Sequence, residues 1–444
     1  MDIPGTRLKQ NPYPNLFRAI GPMGRSPKVA ILYHFFYPDD VVSARHFSDL
    51  AEGLAAAGWN VEVLPSNRGC RNPADIYPPR ERWRGVNISR IWRPRLAQSS
   101  SLGRIVNAAW MIAAWSRLAL RPRATRPDVV MVGTDPILSV LVALPLKWLR
   151  PQIQIAHWAF DLYPEAAIAD GLVNPSSKMV RALTALLRRA YRKCDLIADL
   201  GLCMRRRLEA YGCPAAWQTI VPWALAEEPA PMVPEPDLRR RIFGDAKLAL
   251  LYSGNLGRAH AYRDFLELAR SLAGTGIEFR WSVRGNAVDQ LRSEIRPTDA
   301  NIGMLGFVPE AELSRHLAAA DIHLVSLKPE WSGVVVPSKF FGSLAAGRPV
   351  LFAGPEDSSV ARWIREHRVG WVLNSTTFAE VAFRLRYLAE DPERLRELQA
   401  HCFDVYITYF CRTKMIDSWT RELSQLLRLQ PADTRRAYTG SANL

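Results

Sequence analysis

From Lys28 the chain alternates short β-branched runs with segments of helix length: KVAILYHF, then SARHFSDLAEGLAAAG, then NVEVLPS, and later DVVMVG, IQIAHW and DLIADL, each followed by a helical pattern. Consecutive parallel strands need a crossover between them, and a helix supplies it while covering one sheet face. This rhythm therefore predicts βα units and a doubly wound sheet. It stops at VPWALAEEPAPMVPEPDLRRRI from Val221, where prolines crowd together and Trp223 stands alone among small residues, so a linker is expected there. It restarts with LALLYSG, whose strand is predicted over Leu248–Tyr252, and continues through EFRWSVRG, NIGMLG, DIHLVSL and RPVLFAG. The chain thus reads as two successive doubly wound domains, residues 27–225 and 226–405. FAEVAFRLRYLAED and DVYITYFCRTKMIDSWTRELSQLLRL carry apolar residues at helical spacing with no strand after them. The last segment, 406–429, is expected to return across the first domain. Residues 1–26 and 430–444 lack sustained periodicity and read as tails.

A chain of 444 residues with 48% hydrophobic and 23% charged residues has apolar material for two cores. The formal net charge of +15 points to a polyanionic partner: nucleic acid, anionic lipid or a phosphorylated substrate. The six cysteines show neither zinc-ligand nor Cys-x-x-Cys spacing, which suits reduced thiols in the cytoplasm. No charge-free apolar run reaches the ~18 residues of a membrane span. Two segments come near, IVNAAWMIAAW from Ile105 and PILSVLVALPLKWL from Pro136, and their Trp110, Trp115 and Trp148 would fit an interfacial belt. NPSSKMVRALTALLRRAYRKCD places Lys178, Arg181, Arg188, Arg189, Arg192 and Lys193 around an apolar face, a basic amphipathic helix suited to an anionic membrane surface. The expected location is cytoplasmic, peripheral on the inner face of the membrane.

In open α/β sheets, ligands bind beyond the carboxyl ends of strands. The second domain offers two glycine-bearing places of this kind. In YSGNLGRAH, Gly254 and Gly257 allow close backbone approach, Asn255 lies between them and Arg258 supplies fixed charge. In SGVVVPSKFFGSLAAGRPVLF, Ser332 and Gly333 lead to Pro337 at a helix's first position, followed by Ser338 and then Lys339 in the first turn. A cation there opposes the helix dipole, and an anion between helix end and ammonium removes the conflict, so a diphosphate is the expected ligand. In the first domain, AHWAFDLYPE puts His157 and Asp161 at or beyond a strand's end, facing the cleft. YPDDVVSARHF offers Ser43 and Arg45 as donors in the first strand's loop.

Taken in order, PDVVMVGTDPILSVLVALPLKWL, DLYPEAAIADGLV, VPWA, LYSGNLGRAH, FVPEAELSRHLAAADIHLV and VVVPSKFFGSLAAGRPVL resemble the GT-B glycosyltransferases of retaining family four, with the likeness nearest to bacterial transferases of surface polysaccharides, including fucosamine and colanic acid transferases. The resemblance covers about residues 27–425. It implies a GT-B fold whose two Rossmann-like domains face a cleft, a UDP- or GDP-sugar donor in the second domain, and a lipid-linked or saccharide acceptor on the first. It also implies a retaining reaction with neither metal nor cofactor, in which His157 and Asp161 meet the transferred sugar or the acceptor. Many relatives carry two glutamates seven residues apart on the second-domain loop and helix, the second holding the donor ribose; here those positions are Val334 and Gly342. Glu356 and Asp357, in the GPEDS loop, are the nearest substitutes. Two other readings stay open on sequence. A catalytically silent transferase-fold scaffold would explain Gly342 and would release no sugar. A nucleic-acid-binding protein would explain the charge but would need basic residues interleaved with stacking aromatics along a groove, and no recognised binding motif appears, so no nucleic-acid partner is expected.

Overall fold

A computed structural model describes residues 25–98 and 100–428. The tails read at 1–26 and 430–444 therefore lie almost wholly outside the described residues. The first sheet holds β1 (Lys28–Leu32), β2 (Asn60–Val63), β3 (Arg80–Trp83), β4 (Val86–Ser89), β5 (Val129–Val132), β6 (Gln154–Trp158), β7 (Leu196–Asp199) and β8 (Ala216–Thr219). The second holds β9 (Leu248–Asn255), β10 (Ile277–Arg284), β11 (Ile302–Leu305), β12 (Ile322–Ser326), β13 (Val350–Ala353) and β14 (Gly370–Leu373). Spatial order is 3-4-2-1-5-6-7-8 in one and 11-10-9-12-13-14 in the other. All pairs are parallel except β3 with β4. That edge hairpin is absent from the sequence reading because its strand RERW has no apolar alternation, and solvent reaches both its faces. The central strands β5 and β7 are buried at every residue, as strands covered by helices on both faces should be.

Each sheet has one place where strand order reverses, between β1 and β5 in the first and between β9 and β12 in the second. Crossovers on either side of such a point go to opposite faces and leave a crevice at the strands' carboxyl ends, where ligands of this architecture bind. The two crevices are brought together by contacts between the domains. Asp161 bridges Val335 in antiparallel fashion and Leu162 N–H donates to the Val334 carbonyl at 3.2 Å. Arg207 Nε donates to the Ser332 carbonyl at 2.6 Å.

The chain's end returns to the first domain. The helix Arg412–Arg428 packs on Val42–Ala56, with Ile416 so close to Gly53 that an added Cβ would stand 2.5 Å from Ile416 Cγ2. Trp419 is fully buried and meets Trp158 edge-on at 5.4 Å. The helix expected from Asp404 is not continuous: a wide turn at Tyr406–Phe410 and extended backbone at Cys411 separate Pro392–Val405 from Arg412–Arg428. Tyr406 is held there by the Ala224 N–H and by Glu227. The linker reading is corrected at its start, since Trp223 is fully buried and bonded through Nε1 to Asp49 at 2.9 Å. Free chain there would have exposed its indole. Trp115 is likewise core, donating to the Leu64 carbonyl at 2.8 Å, and cannot serve an interfacial belt.

Candidate active site between the two sheets

On the second sheet, β9 runs three residues beyond the predicted end, to Asn255, so Gly254 and Asn255 are the strand's last residues at the switch point. Gly254 has φ +110°, and a Cβ there would sit 3.1 Å from Lys339 Cε, so the glycine makes room for the lysine. The helix begins at Lys339 with Ser338 as its cap and Pro337 one residue earlier, not at the helix's first position. Phe340 is fully buried and stacks on Trp363, which anchors this helix and directs Lys339 toward β9.

The ammonium donates to the Asn255 carbonyl at 2.8 Å, lies 5.4 Å from the Tyr252 ring centroid, and meets His260 Nε2 at 3.2 Å. Gly257 N–H points at His260 Nδ1 at 3.2 Å, so the neutral ring has one acceptor nitrogen for two donors, this N–H and the ammonium. One of the two is left without an acceptor on the ring. Burial holds the Lys339 pKa down at about 8, with no neighbouring carboxylate to offset it. Burial first and Lys339 second push His260 down to about 3, so its ring is neutral. This is a buried cation with more donors than acceptors around it, an arrangement that an anion would complete.

The other donor-side residues have partners of their own. Arg258 is bound to Asp170 of the first domain across the crevice. Gly333, at φ +73°, lies against the Cys203 carbonyl, 2.3 Å from an added Cβ, so domain contact accounts for this glycine. Val334 is fully buried, which leaves that family position no route to a ligand. Gly342 differs: it is a helix-interior glycine with nothing within 4 Å of an added Cβ. Glu356 and Asp357 are exposed, and Glu356 accepts from Asn374 Nδ2 at 2.7 Å.

On the first sheet, His157 lies in β6, not beyond it, buried with Nδ1 donating to the Val132 carbonyl at 3.0 Å. Its Nε2 has no partner, and burial lowers its pKa to about 4. Asp161 accepts from Thr134 Oγ1 at 2.7 Å; burial raises its pKa to about 6, with Asp135 adding to the rise. These two side chains line one narrow cleft with Thr134, Tyr163, Leu187 and Tyr191. Ser43 sits inside the helix Val42–Ala56, in its first turn and half-buried. Arg45 donates to the Leu225 carbonyl at 3.5 Å. Arg188, Arg189, Arg192, Lys193, Lys178 and Arg181 are all exposed on or just after the helix Lys178–Tyr191.

Several residues of the site escape sequence reasoning. His260 and Asp170 matter only through Lys339 and Arg258. At the first switch point, His34 and Asp135 close a pair, Nδ1 to Oδ1 at 3.3 Å, with Nε2 buried and unpartnered and Asp135 partly exposed. A histidine just after one strand and an aspartate just after another could have raised this pairing, had the adjacency of β1 and β5 been known. Among the described residues no group of three or more His, Cys, Asp or Glu gathers as a metal site.

Residues 43–224 match the family description of a glycosyl transferase 4-like domain. A probable glycosyltransferase, WbjE of Pseudomonas aeruginosa, is 28% identical over 268 residues, which cover 57% of this chain and 64% of WbjE, so the match spans less than two thirds of that relative. Among solved structures, sucrose-phosphate synthase of Thermosynechococcus elongatus superposes with a TM-score of 0.68 at 14% identity, covering 91% of this chain and all of the other. HepE of Anabaena, solved with UDP, gives 0.59 at 13% identity over 90% of this chain and 100% of its own, and it has also been solved with UDP-glucose. WaaG, a glycosyltransferase involved in lipopolysaccharide biosynthesis, gives 0.55 at 15% identity over 90% of this chain and 99% of its own. At these identities the likeness establishes the fold, which is GT-B.

Proposed function

We propose that this chain is a glycosyltransferase that moves a sugar from a nucleoside diphosphate sugar to a saccharide or lipid-linked acceptor in bacterial surface-polysaccharide assembly. The observation that carries the reading is the Lys339 ammonium at the second switch point, buried against the Asn255 carbonyl and the His260 ring with no carboxylate to pair it. The first-domain family match and the likeness to WbjE support the reaction class, and HepE's UDP complexes accord with the choice of donor. In this reading Gly254, Asn255, Gly257 and Ser338 border the diphosphate, while Lys339 and Arg258 neutralise it. Gly333 holds the loop against the first domain. The ribose lies over the open face at Gly342, with Glu356 and Asp357 as its hydroxyl acceptors.

His157 and Asp161 receive the transferred sugar and the acceptor, and Ser43 and Arg45 border the same side. The reaction is read as retaining and independent of metal. The bond from anomeric carbon to phosphate oxygen breaks while the acceptor oxygen bonds to that carbon from the same face. The acceptor's proton passes to the departing phosphate, whose charge Lys339 and Arg258 stabilise. The protein is read as acting on the inner membrane face, held there by the basic helix.

The test is a thermal-shift and calorimetric screen against UDP, GDP, dTDP and their sugars, since a ligand raises apparent stability by RT ln(1 + [L]/Kd). A shift with one nucleoside diphosphate is expected. No shift with any of them removes the reading. A shift without sugar release from the cognate donor, in the presence of candidate acceptors, favours the silent scaffold.

A further inference from the structure

A surface helix of a soluble domain is ordinarily polar on its outward face. The helix Ser101–Ser116 is not. Its inner face buries Asn107, Ala108, Met111 and Trp115, yet its outer face presents Leu102 at 72% exposure, Ile105 at 58% and Val106 at 38%, followed by Ala109 and Ala113. Trp110 stands beside them, 42% exposed, donating to the Trp92 carbonyl at 2.6 Å and packing edge-on against the Trp92 ring. Among the described residues nothing covers this face.

The helix Lys178–Tyr191 packs against the same short turn, Ser139–Val142, from another side. It too leaves apolar side chains outside, Met179 at 66% and Leu186 at 38%. The charge along both stretches of chain is of one sign. Between Glu81 and Asp128 the chain has ten arginines and no carboxylate, of which Arg84, Arg90 and Arg121 pair with Glu52, Glu81 and Glu62, and between Asp170 and Asp195 it has six lysines and arginines and again no carboxylate. Exposed apolar rows beside the exposed cations of Lys178–Lys193 complement a surface that is apolar within and anionic at its face, which is an anionic lipid bilayer.

We infer that the helix Ser101–Ser116 is the element that enters the lipid, with Leu102, Ile105, Val106 and Trp110 inserted among the acyl chains and the Lys178–Tyr191 helix supplying the electrostatic attraction beside it. This deepens the membrane part of the proposed function and moves the inserting element away from the basic helix. The Ser139–Val142 turn lies under both helices and contributes Ser139 and Val140 to the cleft that holds His157 and Asp161. An acceptor whose lipid end stays in the bilayer would thus reach the site from its first-domain side.

The experiment is co-sedimentation of the full chain with vesicles of phosphatidylcholine alone or mixed with phosphatidylglycerol, at low and high salt. The parent is expected to bind the mixed vesicles and to keep a bound fraction at high salt, because buried apolar area is not screened. The variant Leu102→Ser/Ile105→Ser should lose that salt-resistant fraction and weaken overall by about tenfold or more, which is ~1.4 kcal/mol. Arg188→Gln/Arg189→Gln should lose mainly the salt-sensitive part. Leu102→Glu is a second probe of the same face and should act like the serine pair. All these positions are exposed, so melting temperatures near the parent's verify that the variants fold. Vesicle binding by Leu102→Ser/Ile105→Ser equal to the parent's overturns the inference. So does a parent dimer that dissociates in this variant, since a second copy would then cover the face. UDP titration separates the two readings: vesicle binding through these residues without nucleoside diphosphate binding leaves this inference standing and removes the enzymatic one.

Discussion

Lys339 was legible in the sequence as a cation after Pro-Ser, but its chemistry depends on partners far along the chain. With its pKa near 8, it loses charge just above neutral pH in the free protein, whereas a bound diphosphate favours the ammonium. Nucleoside diphosphate affinity is therefore expected to fall as pH rises through 8, with proton uptake on binding in calorimetry. Lys339→Ala should weaken binding by about 10- to 150-fold, from ~1.5–3 kcal/mol for a charge-assisted hydrogen bond, and abolish that pH dependence. The free nucleoside should bind both proteins alike. Asp161 titrates in the opposite sense. Its folded pKa of about 6 lies above the ordinary carboxyl value, so the burden of its buried charge is fully present above pH 6 and vanishes as pH falls toward ~4. Asp161→Asn removes that burden while keeping an acceptor for Thr134. Its melting temperature should exceed the parent's at pH 7, by a margin that shrinks between pH 6 and 4. A pH-independent difference would show that burial does not raise the Asp161 pKa.

Elements with a strong period were readable, and those decided by contact were not. Most strands of both sheets follow from β-branched runs between helical patterns, while the edge hairpin β3–β4 and the edge strands β8 and β14 escaped; β3, wet on both faces, needs no alternation. Apolar periodicity in the final segment predicted a helix but not its interruption at Tyr406–Phe410, which Glu227 and Ala224 impose from the linker. The returning helix Arg412–Arg428 depends on Trp419, buried against Trp158. Trp419→Ala should destabilise the protein by about 3–5 kcal/mol, as truncation of a buried aromatic does. Hydrogen exchange should show the returning helix losing protection together with the neighbouring β6. Loss confined to the helix would mean that it is an appendage, not part of the first domain's core.

At the scale of the whole molecule, the pairing of Arg258 with Asp170 ties the predicted diphosphate cation to the opposite domain. A donor phosphate must compete with Asp170 for the same guanidinium. Because Arg258 is about half exposed, the ion pair is worth at most ~1 kcal/mol. Asp170→Asn should tighten nucleoside diphosphate binding by up to about fivefold, and Arg258→Ala should cancel the gain. Weaker binding in Asp170→Asn would show instead that the carboxylate positions the arginine for the ligand. The sequence by itself determined what depends on neighbours along the chain: two doubly wound halves, a proline-rich join, glycine loops at strand ends, a lysine opening a helix and a net basic surface. Tertiary structure alone decided which strands flank each switch point, and so which loop residues meet there. It placed His260 against Lys339, His34 against Asp135, and Asp170 against Arg258. It also left the outer face of Ser101–Ser116 bare, although its apolar sequence suited a buried helix equally well. The physical reason is that periodicity records only that a face is apolar or a loop polar, whereas the energy of a charge or an apolar face is set by what stands opposite, tens to hundreds of residues away in sequence.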